Sequence, residues 1–212
     1  MSDGLVTNVA VILGVAGAQP NGGFVRLAGL VSWIAGAFSM AAGEYGSMRV
    51  QTELLERELE MERVEIERRP ELERRELAAI YRSRGVEAGL ADDLATQMHR
   101  DPDVALETHA REELGIDPNE LGSPVAAAAS SFVTFTLGAI APLIPWFFGG
   151  GDAAILSSIA IGLVAAVALG LAIARFTERP RLRPVVRQLV LVTLPAAGTF
   201  ALGSAVGISG VG

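Results

Sequence analysis

Long stretches without charge flank one densely charged segment, and this contrast limits what the chain can fold into. Residues 49–120 hold 20 of the 24 acidic residues and 11 of the 17 arginines, whereas the flanking stretches consist mainly of small and aliphatic residues. Several of these stretches approach the roughly 20 residues that a helix needs to cross a bilayer. The pattern predicts an all-α integral membrane protein with a helical, Glu-rich domain inserted between its second and third transmembrane helices.

Five apolar segments are predicted to cross the membrane. They cover about residues 5–18, 25–45, 124–148, 153–176 and 189–208. Turn-forming residues separate neighbouring segments at 19–23 and at 149–152. The predicted domains are therefore residues 1–48 with the first two spans, residues 49–120, and residues 121–212 with the last three spans.

Arginine placement predicts the orientation of the chain. The connection from Arg175 to Arg187 carries five arginines and one acid, Glu178. Basic residues in short connections mark the cytoplasmic side. With five spans, the N-terminus and residues 49–120 are then cytoplasmic, and the C-terminus lies outside. All 17 basic residues other than histidine are arginine, and no targeting segment precedes the first span, so we expect a prokaryotic plasma membrane.

The charge distribution favours cations as partners. Residues 49–120 carry a net charge of -9, whereas the rest of the chain carries +2. An acidic surface repels nucleic acid and attracts cations. The chain has no cysteine, which excludes disulfides and zinc–thiolate sites. No nucleophile–base pair is apparent, so enzymatic catalysis and a resident cofactor are not expected.

The charged segment is predicted to form four helices. They cover about residues 49–69, 70–84, 88–100 and 102–114. Pro70 ends the first of them and begins the second. No helix breaker separates the second span from residue 49, so the second span is predicted to continue directly into the first acidic helix.

Glutamates at helical spacing predict a metal site in this segment. Glu62 with Glu65, and Glu73 with Glu76, each place two carboxylates on one helix face. Two such pairs brought together would form a four-carboxylate cluster that suits Fe²⁺ or Mn²⁺, which a nearby histidine would complete. The predicted ligands are Glu62, Glu65, Glu73, Glu76, His109 and Glu113. The other histidine, His99, is interpreted as a surface residue.

A plain solvated surface is the alternative interpretation of the same acids. Arginines are interleaved with the glutamates along the first acidic helix. Pairs of opposite charge one turn apart stabilise a helix by only about 0.3–0.5 kcal/mol and imply no ligand.

Three residues of the apolar segments are candidates for an ion path. Asp3 opens the first span, and Glu44 ends the second; ionisable groups in such places are costly and usually functional. Met40 offers a thioether, a soft ligand. A helix cap is the alternative role for Asp3, and core packing is the alternative for Met40.

Two motifs resemble the vacuolar iron transporter family. Asp3-Gly4-Leu5, followed by the run Gly14–Ala18, resembles the first span of that family, and Phe38–Tyr45 resembles its second span. The segment 49–120 resembles its cytoplasmic metal-binding domain. The resemblance implies a five-span homodimer with an ion path between the first spans, exchanging Fe²⁺, and often Mn²⁺, for protons and moving metal out of the cytoplasm.

The resemblance also implies roles for individual residues. The pore aspartate and methionine of that family match Asp3 and Met40. Its metal-binding glutamates match Glu62, Glu65, Glu73, Glu76 and Glu113. The family commonly has a methionine where this chain has His109.

The function expected from the sequence is therefore a divalent metal/proton antiporter. The alternative is a membrane-anchored protein that buffers or senses iron without transporting it. A third, weaker interpretation is a scaffold whose charged helices recruit a partner.

Overall fold

The computed structural model describes residues 1–18, 21–178 and 180–207, and regular structure within these ranges is entirely helical. The described residues form eight α-helices: α1 (Ser2–Ala18), α2 (Gly22–Arg68), α3 (Pro70–Ser83), α4 (Ala88–Met98), α5 (Pro102–His109), α6 (Pro124–Ile140), α7 (Gly151–Phe176) and α8 (Leu182–Val206). A π-helical turn, Ala110–Leu114, follows α5, and a 3-10 helix, Ala141–Phe147, follows α6. The predicted all-α class is confirmed.

The chain separates into two compact units. The apolar unit comprises Met1–Glu44 and the residues from Val125 onward, and the acidic unit comprises Tyr45–Pro124. Helix α2 contributes residues to both units, which confirms that the second apolar segment continues into the first acidic helix.

Within the part of the chain that the structure describes, four helical segments are long and apolar enough to cross a membrane: α2, α6 with its 3-10 extension, α7 and α8. The protein is therefore a multi-pass membrane protein. Helix α1 is apolar but has 17 residues, which at 1.5 Å per residue span about 26 Å against a hydrocarbon core of about 30 Å. A fifth span formed by α1 stays a prediction.

Helix α1 forms the centre of the apolar unit. Leu5, Val9 and Leu13, one turn apart on the same face, pack against Ala166 of α7 and Val192 of α8. Small residues let the backbones approach closely in this unit, as is usual between helices in lipid. A Cβ atom on Gly138 of α6 would clash with the backbone at the start of α1.

Contacts along α1 show that it runs parallel to α8. Near its start, the Ser2 hydroxyl donates to Oε1 of Gln188 over 2.9 Å. In its middle, the Thr199 hydroxyl donates to the carbonyl of Ala10 over 2.7 Å. Toward its end, Gly17 lies against the end of α8. Both helices therefore begin at the same end of the unit.

The helix α6 changes to 3-10 geometry where two prolines interrupt it. Pro142 and Pro145 have no backbone N–H and cannot continue an α-helical hydrogen-bond pattern. Ser158 of α7 is buried and donates to the carbonyl of Pro142 over 2.7 Å, while accepting from Nε1 of Trp146 over 2.9 Å. These bonds satisfy backbone and indole groups that lipid could not.

Two predicted boundaries near the connections are corrected. Helix α8 begins at Leu182 rather than about residue 189, so Arg183 and Arg187 lie within it. Pro184 fits there because the first turn of a helix tolerates proline. Helix α7 begins at Gly151, so the predicted loop 149–152 is shorter than expected. Residues 19, 20 and 208, which bounded other predictions, lie outside the described residues.

Two small hydrophobic clusters hold the acidic unit together. Leu77 and Ala78 of α3 pack against Ala95 of α4. Ile66 of α2 packs against Ala105 and Leu106 of α5. The predicted helix bounds agree closely with the observed ones, except that the last predicted helix ends as the π-helical turn.

Candidate metal centre

Packing between α2 and α5 brings Glu62, His109 and Glu113 together. Glu62 lies one turn before Ile66, and His109 lies one turn after Ala105, so the contact between Ile66 and Ala105 sets their side chains facing each other. Nδ1 of His109 is 2.9 Å from Oε1 of Glu62 and 3.3 Å from Oε2 of Glu113. One potential ligand atom from each of the three residues lies within 4.8 Å of the others.

The π-helical turn supplies the third member of this group. It begins directly after His109, the last residue of α5, and contains Glu113. Gly115 ends the turn with a φ of 68°, a conformation that suits glycine. Single π-helical turns are frequent at functional sites because they change the direction of side chains relative to the preceding helix.

Glu62 carries a buried oxygen atom without a hydrogen bond. The residue is 6% exposed and His109 is fully buried, whereas the Glu113 side chain is 32% exposed. Although Nδ1 of His109 is close, Oε1 of Glu62 has no hydrogen-bond partner among the described residues. Because a buried carboxylate oxygen without a hydrogen bond is costly, either a proton on Nδ1 of His109, 2.9 Å away, or a bound cation would remove the cost.

Glu73 adds a second buried carboxylate to the same unit. It is 4% exposed. Burial, followed by the negative charges of Glu62 and Glu76, raises the pKa of Glu73, and the charge of Glu65 acts in the same direction. Glu65 and Glu76 themselves are exposed. Three of the six predicted ligands thus meet directly, and the other three lie within electrostatic reach; the ligand role of all six stays a prediction.

The charges around the site favour the uptake of positive charge. Burial and the negative charges of Glu62 and Glu76 raise the pKa of Glu113, against the opposing influence of His109. Burial alone would lower the pKa of His109, but the carboxylates of Glu62 and Glu113 outweigh it and raise that pKa. A proton or a metal ion would each relieve this repulsion.

Ion pairs account for several of the remaining acids. Arg49 with Glu53, Arg74 with Glu71, and Arg111 with Glu107 form exposed pairs one helical turn apart. The solvated-surface interpretation therefore fits these acids. It does not fit Glu62 or Glu73, which are buried and form no ion pair with an arginine within the ranges that the structure covers.

The interpretation of His99 as a surface residue is wrong. His99 is only partly exposed, and its Nε2 lies 3.3 Å from Nε2 of His109. Each histidine stands at the end of a helix, and the Asp101-Pro102 turn joins the two helices. His109 lies at the end of α5 that is away from this turn, so the contact depends on how α4 and α5 pack, and the spacing of the two histidines in the sequence did not predict it.

Asp3, Met40 and Glu44 lie in the apolar unit. Asp3 stands in the first turn of α1, and Glu44 lies on α2; both are exposed on the single chain. Met40 is 37% exposed. In the described part of the chain, no hydrogen bond or ion pair joins these three side chains to one another. Their role in an ion path stays a prediction.

Comparison with known proteins addresses what this arrangement does. The model of the VIT family matches residues 1–204, a range that takes in both units. The chain belongs to the VIT family. The resemblance predicted from the motifs of α1 and α2 is therefore confirmed.

Named relatives in the VIT family align over most of the chain. Vacuolar iron transporter 1 of Tulipa gesneriana is 28% identical over 207 residues, which cover 97% of this chain and 84% of that protein. Vacuolar iron transporter 1 of Arabidopsis thaliana is also 28% identical over 207 residues, covering 97% and 83%. The vacuolar iron transporter of Acanthamoeba castellanii is 41% identical over 128 residues, covering 60% of this chain and 48% of that protein.

Proposed function

We propose that this VIT-family protein is a divalent metal/proton antiporter that exports Fe²⁺ or Mn²⁺ from the cytoplasm. The observation that carries the proposal is the group of Glu62, His109 and Glu113, of which the first two are buried, and in which Oε1 of Glu62 has no hydrogen-bond partner among the described residues. Relatives named vacuolar iron transporters support iron as the cargo.

The acidic unit captures the ion in this scheme. Glu62, His109 and Glu113 provide two carboxylates and one imidazole, a donor set that suits Fe²⁺ and Mn²⁺. Glu73, Glu65 and Glu76 add negative charge around them. This charge concentrates cations near the site and stabilises the bound ion.

The apolar unit provides the path across the membrane. Asp3 and Met40 line it between the first spans of two subunits, and Glu44 lies near its cytoplasmic mouth. Exposure of all three residues on the single chain supports a place facing a partner subunit or water. The parallel course of α1 and α8 supports five spans, with the acidic unit and the N-terminus on the cytoplasmic side of the membrane.

Proton coupling follows from the carboxylates. Neighbouring carboxylates that share a site hold a proton more tightly than isolated ones, and a divalent ion displaces such protons on binding. An ion that leaves the clustered glutamates is therefore replaced by protons, and in this proposal the two fluxes run in opposite directions.

Flux into proteoliposomes tests the proposal. Purified protein is reconstituted with a pH-sensitive dye inside, and Mn²⁺ or Fe²⁺ uptake is followed under an imposed proton gradient. We expect metal uptake to scale with the gradient and to move protons the other way. Asp3→Asn is expected to abolish uptake, whereas Asp152→Asn, which changes another exposed first-turn aspartate, is expected to retain it. Full uptake by Asp3→Asn would refute the role of Asp3.

Metal buffering or sensing without transport is the second candidate function. One observation favours it: the three clustered ligands all belong to the acidic unit, and among the described residues no hydrogen bond or ion pair joins Asp3, Met40 and Glu44. This candidate predicts that the protein binds Mn²⁺ and that proteoliposomes show no flux at any gradient. Loss of Mn²⁺ binding in Glu62→Gln together with unimpaired flux would instead separate capture from transport.

A further inference from the structure

His99 contacts His109 on the side of the ring away from the carboxylates. Nε2 of His109 lies 3.3 Å from Nε2 of His99, whereas Nδ1 of His109 faces Glu62 and Glu113. The rings meet edge to face, with centroids 5.1 Å apart and planes at 84°. One hydrogen is shared between the two Nε2 atoms, so one ring donates and the other accepts.

A backbone carbonyl decides which ring donates. Nδ1 of His99 lies 2.9 Å from the carbonyl oxygen of Ala95, which can only accept a hydrogen bond. Nδ1 of His99 therefore carries a hydrogen. A neutral imidazole with its hydrogen on Nδ1 holds a lone pair on Nε2. The shared hydrogen consequently belongs to Nε2 of His109.

This arrangement leaves Nδ1 of His109 available for a cation. Ionised Glu62 and Glu113 can only accept hydrogen bonds, so the position between them and Nδ1 needs a positive group. With hydrogen on Nε2, a neutral His109 directs its Nδ1 lone pair toward the two carboxylates. Ligating histidines usually donate their other ring N–H to an acceptor that fixes the tautomer and the ring orientation.

We propose that His99 is a positioning residue, which holds His109 in the tautomer whose Nδ1 binds a divalent cation together with Glu62 and Glu113. This inference rests on the proposed function, because it takes these three residues as the capture site. Both histidines of the chain then belong to one site. An imidazole ligand favours transition metals such as Mn²⁺ and Fe²⁺ over Mg²⁺ and Ca²⁺, which prefer oxygen.

Nitrogen NMR of the full chain tests the tautomers directly. The protein is labelled with ¹⁵N-histidine, reconstituted in lipid and measured without metal at a pH high enough for both rings to be neutral. We expect hydrogen on Nδ1 of His99 and on Nε2 of His109. His99→Phe keeps a planar ring and removes the acceptor; it also leaves a single histidine, which assigns both signals. A wild-type His109 with hydrogen on Nδ1 and none on Nε2 would overturn the proposal.

Mn²⁺ binding to the full chain tests the consequence. Loss of an outer hydrogen-bond partner typically weakens metal binding by about 10- to 100-fold, and we expect this for His99→Phe. His99→Gln, whose amide oxygen can accept the same hydrogen bond, is expected to stay within a few-fold of wild type. The exposed neighbour change Gln97→Ala should leave the affinity unchanged. Equal affinity in His99→Phe and wild type, or equal weakening in the Phe and Gln variants, would contradict the positioning role.

Two further results separate this inference from the proposed function. Electron spin-echo spectra of bound Mn²⁺ should show coupling to one ¹⁵N-imidazole; coupling to two would make His99 a ligand and overturn its positioning role. Unchanged Mn²⁺ affinity in Glu62→Gln would refute metal capture itself. Lost affinity in Glu62→Gln with none lost in His99→Phe would refute only the role of His99.

Discussion

At the scale of single residues, a buried carboxylate next to other carboxylates couples stability to metal binding. Glu62 is almost fully buried, and one of its oxygens lacks a hydrogen bond among the described residues. Such a group destabilises the metal-free fold unless it gains a proton or a cation. A binding site of this kind lowers the stability of the metal-free protein, because the arrangement that binds the ion is unfavourable without it.

Glu62→Gln should therefore change metal affinity and stability in opposite directions. We expect Mn²⁺ affinity to fall at least about tenfold, since a ligand is lost. At a pH where His109 is neutral, the metal-free acidic unit should become slightly more stable, because the change removes a buried negative charge close to those of Glu73 and Glu113. Glu67→Gln, the same change at an exposed position of α2, should alter neither property. Titration calorimetry and hydrogen exchange measure the two effects, and a stability loss in Glu62→Gln would contradict the argument.

The pH dependence of Mn²⁺ binding follows from the raised pKa of His109. A metal ion and a proton compete for Nδ1, so the imidazole must be neutral to bind metal. The pKa of His109 in the folded protein lies above the ordinary value of about 6.5. The affinity for Mn²⁺ should therefore still rise with pH above 6.5, and it should level off once the pH passes the pKa of His109 in the folded protein. The slope is at most about tenfold per pH unit for each proton displaced.

His109→Met provides the control for this prediction. The thioether does not titrate, so affinity above pH 6.5 should depend less on pH in the variant. The raised pKa of His109 also affects the stability of the metal-free protein. Protonated His109 stabilises the folded state at a pH below the pKa that histidine has in the unfolded chain, and this stabilisation is lost as the pH rises through the pKa in the folded protein. An identical slope in the variant and the wild type would show that His109 does not control the competition.

The sequence predicted the identity of the clustered residues better than their surroundings. His109 and Glu113 are four residues apart, so helical periodicity placed them side by side. Periodicity alone could not separate buried Glu62 and Glu73 from exposed Glu65, because burial depends on which face α5 and its neighbours cover. The contact between His99 and His109 depends on the packing of α4 against α5, because His109 lies at the end of α5 away from the turn that joins the two helices.

At the scale of helices, boundaries followed from residues that act locally. Pro70 separates α2 from α3, and Gly115 ends the π-helical turn. The turn itself and the early start of α8 were not predicted, because both depend on tertiary contacts. The Ser2–Gln188 hydrogen bond, for example, links residues 186 positions apart.

Close backbone packing makes Gly138 of α6 intolerant of a side chain. A Cβ atom there would collide with the backbone at the start of α1, whereas a Cβ on Gly198 of α8 meets no atom within 4 Å. Gly138→Ala should destabilise the apolar unit by about 1–3 kcal/mol. Gly198→Ala should be neutral or stabilise it by up to about 1 kcal/mol, since alanine favours a helix. Denaturation in detergent measures both; equal effects would contradict the observed packing of α1 against α6.

At the scale of the whole molecule, the direction of α1 determines how many times the chain crosses the membrane. Contacts from Ser2 to Gln188 and from Ala10 to Thr199 show that α1 and α8 run parallel. Arg181, Arg183 and Arg187 cluster where α8 begins. Basic residues mark the cytoplasmic side, so α1 should also begin there.

The number of spans can be tested because the chain contains no cysteine. A short tag with one cysteine is placed at either end, and a thiol reagent that cannot cross the membrane is added from outside intact cells. With five spans, the C-terminal tag should react and the N-terminal tag should not. If α1 is too short to span, only α2, α6, α7 and α8 cross, and both tags should react. Ser83→Cys, at an exposed position of the acidic unit, should be protected in either case, and it shows that the cells are intact. Protection of the N-terminal tag together with labelling of the C-terminal tag would establish that α1 crosses the bilayer beside α8, as an ion path through the first span requires.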